Sequence, residues 1–134
     1  SDIHTPAVET IRANVAAAGV ADAVLVLHGD LRTWTRERLA DRLRRAGRTA
    51  LAGLPRGLIL ANPPYGERTA GRGSGAGALA ALYRDLAAWL GGFTGWRAAF
   101  FCANPEFERA LGRPRVRKPM SNSNLRGWFL LYDL

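Results

Sequence analysis

The residues best suited to chemistry in this chain are Asn62, Pro63, Pro64 and Tyr65, which follow directly on the apolar run Leu58-Ile59-Leu60-Ala61. A carboxamide oxygen and a neighbouring backbone carbonyl can accept hydrogen bonds from the two N–H groups of an exocyclic nucleobase amine. The nitrogen lone pair is then left aimed at an electrophilic methyl group. An aromatic ring beside them can stack on a base extruded from its helix. Asn62 and Tyr65 supply these two functions, so the chemistry is positioning more than acid–base work. Both prolines lack an N–H and fix φ, and Pro63 pushes Asn62 toward extended backbone, which makes the loop stiff. Asn-Pro-Pro-Tyr alone also suits an ordinary turn with a surface aromatic. The preceding strand and Gly66-Glu67-Arg68 after it favour the functional reading.

An element that carries Asn62 must end at a sheet edge. A short apolar run bounded by turn residues reads as a buried strand, and in open α/β sheets ligands bind at the carboxyl ends of the strands. Other segments repeat the alternation. Ser1-Asp2-Ile3 reads as a strand tail, followed by a helix with Thr5 as N-cap, Pro6 in its first position and Gly19 as its stop. Val24 to His28 reads as a second buried strand, and Gly29-Asp30-Leu31 as the turn after it. Residues 35–46 have helical spacing, with Thr35 as N-cap and Trp34 and Leu39 in hydrophobic-staple positions. Arg36, Arg38, Arg42, Arg44 and Arg45 on its outer faces suit either an RNA backbone or a solvated face balanced by Glu37 and Asp41.

Leu79 to Leu90 marks an amphipathic helix stopped by Gly91-Gly92, and Arg97 to Ala103 a buried strand. Pro105 to Leu111 is a helix capped by Asn104 and ended by Gly112. Arg113 to Lys118 is a basic, edge-like segment, because Pro114 keeps it out of a sheet interior. Strands alternating with helices predict a doubly wound, mostly parallel α/β sheet. Gly71-Arg72-Gly73-Ser74-Gly75-Ala76-Gly77 follows a loop instead of a strand, so it is not a phosphate-cradling loop. It reads as a flap from which Arg68 and Arg72 reach phosphates, or as a linker with no role.

Asn62-Pro63-Pro64-Tyr65-Gly66-Glu67-Arg68 resembles the motif of class I S-adenosylmethionine-dependent methyltransferases. The resemblance is nearest to the RlmL-like, THUMP-associated group that methylates guanine N2 in ribosomal RNA, and it covers nearly the whole chain. It implies a Rossmann-like fold with an antiparallel C-terminal strand, S-adenosylmethionine as cofactor and ribosomal RNA as partner. Catalytic roles fall by resemblance on Asn62, Pro63, Pro64 and Tyr65, and RNA contacts on Tyr65, Arg68 and Arg72. Cofactor contacts fall on Asp2 and Ile3 at the ribose, Asp30 and Leu31 at the adenine, and Asn62. Asp2 also suits a simple capping residue, and His4 stands where the family has a second acid. The segment between Asp30 and Asn62 is longer than in that group. The closing stretch from Asn122 to Tyr132 resembles the family's terminal strand pair, with Ser123 in place of its turn Gly and Gly127 in place of a Cys.

The strand and glycine-rich cofactor loop expected before Asp2, and a THUMP domain, are not among these residues. Residues 1–134 are therefore expected to be the C-terminal part of a catalytic domain, N-terminally incomplete and inactive in isolation. Two other readings compete. A DNA adenine-N6 or protein glutamine methyltransferase shares Asn-Pro-Pro-Tyr, and a non-catalytic RNA-binding module would bind RNA without the cofactor.

Composition bounds all of these. With 134 residues, 48% hydrophobic and 22% charged, the chain suits one globular domain. A net charge of +8, carried almost wholly by Arg, suits a polyanionic partner. No apolar run approaches the ~20 residues of a membrane span, no signal peptide opens the chain, and the cytoplasm is the expected compartment. The single cysteine, Cys102, excludes an intrachain disulfide or a cysteine zinc cluster, and no metal is expected.

Overall fold

The computed structural model describes residues 2–64, 76–122 and 125–134. Contacts divide the chain into two compact units, Ser1–Leu54 and Pro55–Leu134.

In the first unit, α1 spans Thr5–Ala17, α2 Arg36–Arg45 and α3 Thr49–Ala52. Pro6 sits in the first turn of α1, but the N-cap position falls on His4, with no side-chain cap bond, and not on Thr5. Thr35 caps α2 as the sequence predicts, its hydroxyl accepting from the Arg38 N–H at 3.3 Å. The expected strand at 24–28 is reduced to extended chain with one parallel bridge, Asp2 to His28. Its hydrogen bonds run from the Asp2 N–H to the Leu27 carbonyl and from the Gly29 N–H to the Asp2 carbonyl. Only Leu27 of this run is buried, and Val24 is exposed, so apolar content alone did not build a ladder. Arg48 ties the segment down by donating to the carbonyls of Ala21 and Val24 at 2.9 and 3.2 Å. Gly29 has φ +146, and a Cβ there would stand 3.4 Å from the Trp34 ring. The turn before Asp30 therefore suits glycine on backbone grounds.

In the second unit, β1 (Leu58–Ala61), α4 (Ala76–Leu90), β2 (Arg97–Cys102), α5 (Pro105–Leu111), β3 (Val116–Asn122) and β4 (Leu125–Asp133) follow in chain order. The sheet order is β1-β2-β4-β3, with β1 parallel to β2 and the other two pairings antiparallel. Insertion of the last strand, β4, between β2 and β3 is the antiparallel C-terminal feature expected from sequence. The basic segment around Arg117 and Lys118 does lie on the edge strand, β3, which runs on through Pro119 to Asn122. Pro119 is tolerated there because an edge strand leaves one row of N–H groups unpaired.

One face of the sheet carries the core. Ile59 and Ala61 of β1, Ala98, Phe100 and Cys102 of β2, and Trp128, Leu130 and Tyr132 of β4 pack with Tyr83, Leu86 and Leu90 of α4 and Phe107 of α5. Strand alternation puts Leu58 and Leu60 on the opposite face, where they are 60% and 74% exposed. Aromatic rings fill the core edge to face: Phe107 meets Tyr83 at 5.1 Å and Phe100 at 5.0 Å between centroids. No helix among the described residues is long and apolar enough to cross a membrane.

Candidate active site

Asn62 leaves the carboxyl end of β1 beside the parallel strand β2, with Ala61 in register with Phe100. Its side chain is exposed and makes no hydrogen bond among the described residues. Pro63 is buried behind it, and Pro64 is half-buried. The Pro64 carbonyl accepts a 2.5 Å hydrogen bond from the Tyr83 hydroxyl on α4. Burial raises the Tyr83 phenol well above the usual tyrosine range, with the nearby Cys102 sulfur adding to the shift. The phenol therefore stays a donor at any ordinary pH. The bond takes one of the two lone pairs of the Pro64 carbonyl, and the Asn62 carboxamide oxygen is left open among the described residues.

A second set of predicted residues gathers in the first unit. The bridge between Asp2 and His28 sets the ends of two parallel extended segments side by side, so Asp2 and Ile3 lie beside the turn that carries Asp30 and Leu31. His28 Nε2 donates to the Ile3 carbonyl at 3.1 Å, which requires the proton on that nitrogen. One carboxylate oxygen of Asp2 accepts from the His4 N–H at 2.8 Å. Asp30 caps a short 3-10 turn, Leu31–Thr33, through the Arg32 N–H at 2.9 Å. The Arg32 guanidinium closes on the same carboxylate, with Nη2 at 2.7 Å. These side-chain and backbone bonds from Arg32 hold the Asp30 carboxyl below the usual carboxylate range. Ile3 and Leu31 are exposed.

Tyr65, Arg68 and Arg72, with glycines 71, 73 and 75, lie outside the described residues. Two contacts at these sites had no local signal in the sequence. Tyr83 falls there only within the amphipathic run Leu79 to Leu90, and Arg32 follows the turn Gly29-Asp30-Leu31 with no role of its own. No group of three or more His, Cys, Asp or Glu side chains able to hold a metal occurs among the described residues.

Residues 1–127 match the family described as RMKL-like, methyltransferase domain. The chain belongs to this family. Among curated members, the ribosomal RNA large subunit methyltransferase K/L of Marinobacter nauticus is 39% identical over 80 residues, 58% of this chain and 10% of that protein. Its counterpart in Pseudomonas aeruginosa is 36% identical over 100 residues, 74% of this chain and 11% of that protein. The chain thus spans about a tenth of the curated relatives it matches. Two solved structures share the fold. SMU.472, described as a candidate methyltransferase and solved with SAH, superposes with a TM-score of 0.76 at 19% identity, covering 98% of this chain and 30% of that one. A chain described as a possible methylase from Clostridium difficile 630 gives 0.74 at 21% identity with the same coverage. The family's α/β fold, with helices around a mixed sheet and an antiparallel last strand, is therefore that of a class I methyltransferase.

Proposed function

We propose that residues 1–134 are part of the catalytic domain of a ribosomal RNA methyltransferase acting in the cytoplasm on the exocyclic N2 amine of a guanine. The observation that carries the reading is the exposed Asn62 carboxamide, without a partner among the described residues, at the carboxyl end of β1 and ahead of a diproline turn held by Tyr83. The relatives' names support ribosomal RNA as substrate, and the Gly66-Glu67-Arg68 extension favours guanine N2 through the family resemblance.

S-adenosylmethionine, the cofactor of this reading, supplies a methyl group on a positively charged sulfur. The donor set of the first unit fits it in part: Asp2 keeps a carboxylate oxygen beyond its bond to His4 for ribose hydroxyls, and the Asp30 carboxylate would accept from an amino group once the Arg32 guanidinium swings off it. Ile3 and Leu31 supply apolar surface beside them. The Asn62 oxygen and the Pro63 carbonyl accept the two N–H bonds of the guanine amine, which turns its lone pair away from the ring. Tyr65 stacks on the extruded base, and Arg68 and Arg72 meet its flanking phosphates. The new N–C bond would form as the methyl–sulfur bond breaks and leaves its electron pair on the sulfur, and the amine would then lose one proton to water, so no side chain need act as a strong base.

We further propose that a strand and a glycine-rich loop upstream of Asp2, together with a separate RNA-binding domain, complete the enzyme. Among the described residues β1 pairs with β2 alone, and this together with the exposure of Leu58 and Leu60 supports the proposal, since a paired and covered strand would hide both. Calorimetric titration of S-adenosylhomocysteine into this chain, and into the chain extended upstream in its reading frame, tests it. Binding confined to the extended form is expected. Tight binding by residues 1–134 alone would remove the need for the upstream segment, and no binding by either form would overturn the enzyme reading.

A further inference from the structure

Helix α2 carries arginines at positions 38, 42 and 45, a spacing that lays three guanidinium groups along one stripe. Together with His28, Trp34 and Asp41 they line a shallow surface depression. Arg38 is fixed in it: its Nη1 donates to the Thr33 carbonyl at 2.7 Å, and its guanidinium lies 5.4 Å from the centroid of the buried Trp34 ring. Asp41, the one carboxylate of the lining, is held by Arg44 at 2.9 Å. Arg42 and Arg45 are exposed and have no side-chain partner among the described residues.

We propose that this stripe is a phosphate-backbone clamp for RNA, separate from the contacts that hold the target base. The inference rests on the reading of the protein as an RNA methyltransferase, because that reading chooses RNA among polyanions. Local charge supports it, since among the described residues two guanidinium groups have no side-chain partner in a depression whose one carboxylate, Asp41, is paired with Arg44. Guanidinium forks match phosphate oxygens two at a time. At ~1.5 Å per residue, the run from Arg38 to Arg45 extends about 10 Å, enough to follow two or three phosphates of one strand. Trp34 and Thr33 hold Arg38 in place beforehand, which lowers the ordering cost of binding. Such contacts carry no base information and would set where the RNA lies relative to the catalytic loop.

The test is fluorescence anisotropy of a labelled RNA hairpin with the 134-residue chain across a salt series. Wild type is compared with the doubles Arg42→Glu/Arg45→Glu and Arg42→Ala/Arg45→Ala, and with the control double Arg113→Glu/Lys118→Glu on the other unit. The α2 doubles should weaken binding by roughly tenfold or more and reduce the slope of log K against log salt by about 2, with the control well behind both. If the Glu pair fails to fold, the Ala pair carries the test. Equal losses in the α2 and control doubles would mean bulk charge only, and would overturn the clamp. So would unchanged affinity in the α2 doubles, or binding to anionic phosphatidylserine vesicles in the absence of any RNA binding. Cofactor titration separates the two readings. RNA held through α2 by an extended form that never binds S-adenosylhomocysteine would sink the catalytic reading alone, whereas methyl transfer unaffected by the α2 doubles would sink the clamp alone.

Discussion

The hydroxyl of Tyr83 on α4 donates a 2.5 Å hydrogen bond to the carbonyl of Pro64, across 19 residues of chain. The bond joins the diproline loop to the core, because the Tyr83 ring is itself buried against Phe107. Tyr83→Phe keeps the ring and removes the tether, leaving a half-buried carbonyl without its donor. A loss of about 1 kcal/mol is expected in urea unfolding. A larger proportional loss should appear in methyl transfer, through a loosened Asn62. A variant as active as wild type would show that the tether does not position the loop.

Tyr132 presents the reverse case, since its buried hydroxyl has no hydrogen-bond partner among the described residues. Removing an unsatisfied polar atom while keeping the ring should not cost stability. Tyr132→Phe should equal wild type or exceed it by up to about 1 kcal/mol in urea unfolding. A clear loss would reveal a partner for that hydroxyl.

Three buried acids set the response to alkali. Burial raises the Cys102 thiol from its usual 9.0, and raises the Tyr83 and Tyr132 phenols from their usual 10.0. Each group holds its proton more tightly folded than unfolded. Its contribution is therefore complete below the unfolded pKa and is lost as pH rises toward the folded one. Stability should be flat to about pH 9 and then fall, and Tyr83→Phe/Tyr132→Phe should flatten the fall. Urea midpoints at pH 8 and 10.5 check this, and an identical slope in the double variant would refute the assignment.

Gly127 stands where the resembled family carries a Cys. A Cβ at this position would lie 2.9 Å from the Cys102 carbonyl and 3.0 Å from the Phe101 ring. Backbone carbonyls cannot step aside as a flexible side chain can, so Gly127→Ala should destabilise the second unit by roughly 1–3 kcal/mol. A thermal melt unchanged by the substitution would show that β4 shifts freely against β2.

Much of this was legible because it is local. Thr35 and Asn104 announce α2 and α5 through side chains that cap their own helices, at 3.3 Å to the Arg38 N–H and 2.9 Å to the Glu106 N–H. Asn62 was legible because an apolar run ending in two prolines has little choice but to stop. Other features depend on partners far away in sequence. Val24 to His28 has the composition of a strand, yet ladder formation needs neighbours, and Asp2 supplies a single bridge. β3 was read only as an edge-like basic stretch, because its pairing with β4 across Pro119 and Trp128 is set by register and not by composition. The closure of Arg32 on Asp30 and the reach of Tyr83 to Pro64 are likewise products of the folded geometry.

The central claim is tested most directly by transfer of labelled methyl from S-adenosylmethionine to ribosomal RNA. The assay uses the upstream-extended protein, as wild type and as Asn62→Ala. Nucleoside digestion should place the label on guanine N2 in the wild-type reaction, and Asn62→Ala should lose at least about a hundredfold in rate, the scale of removing a positioning contact at the reacting atom. Asn62→Ala methylating guanine N2 at the wild-type rate would contradict the account.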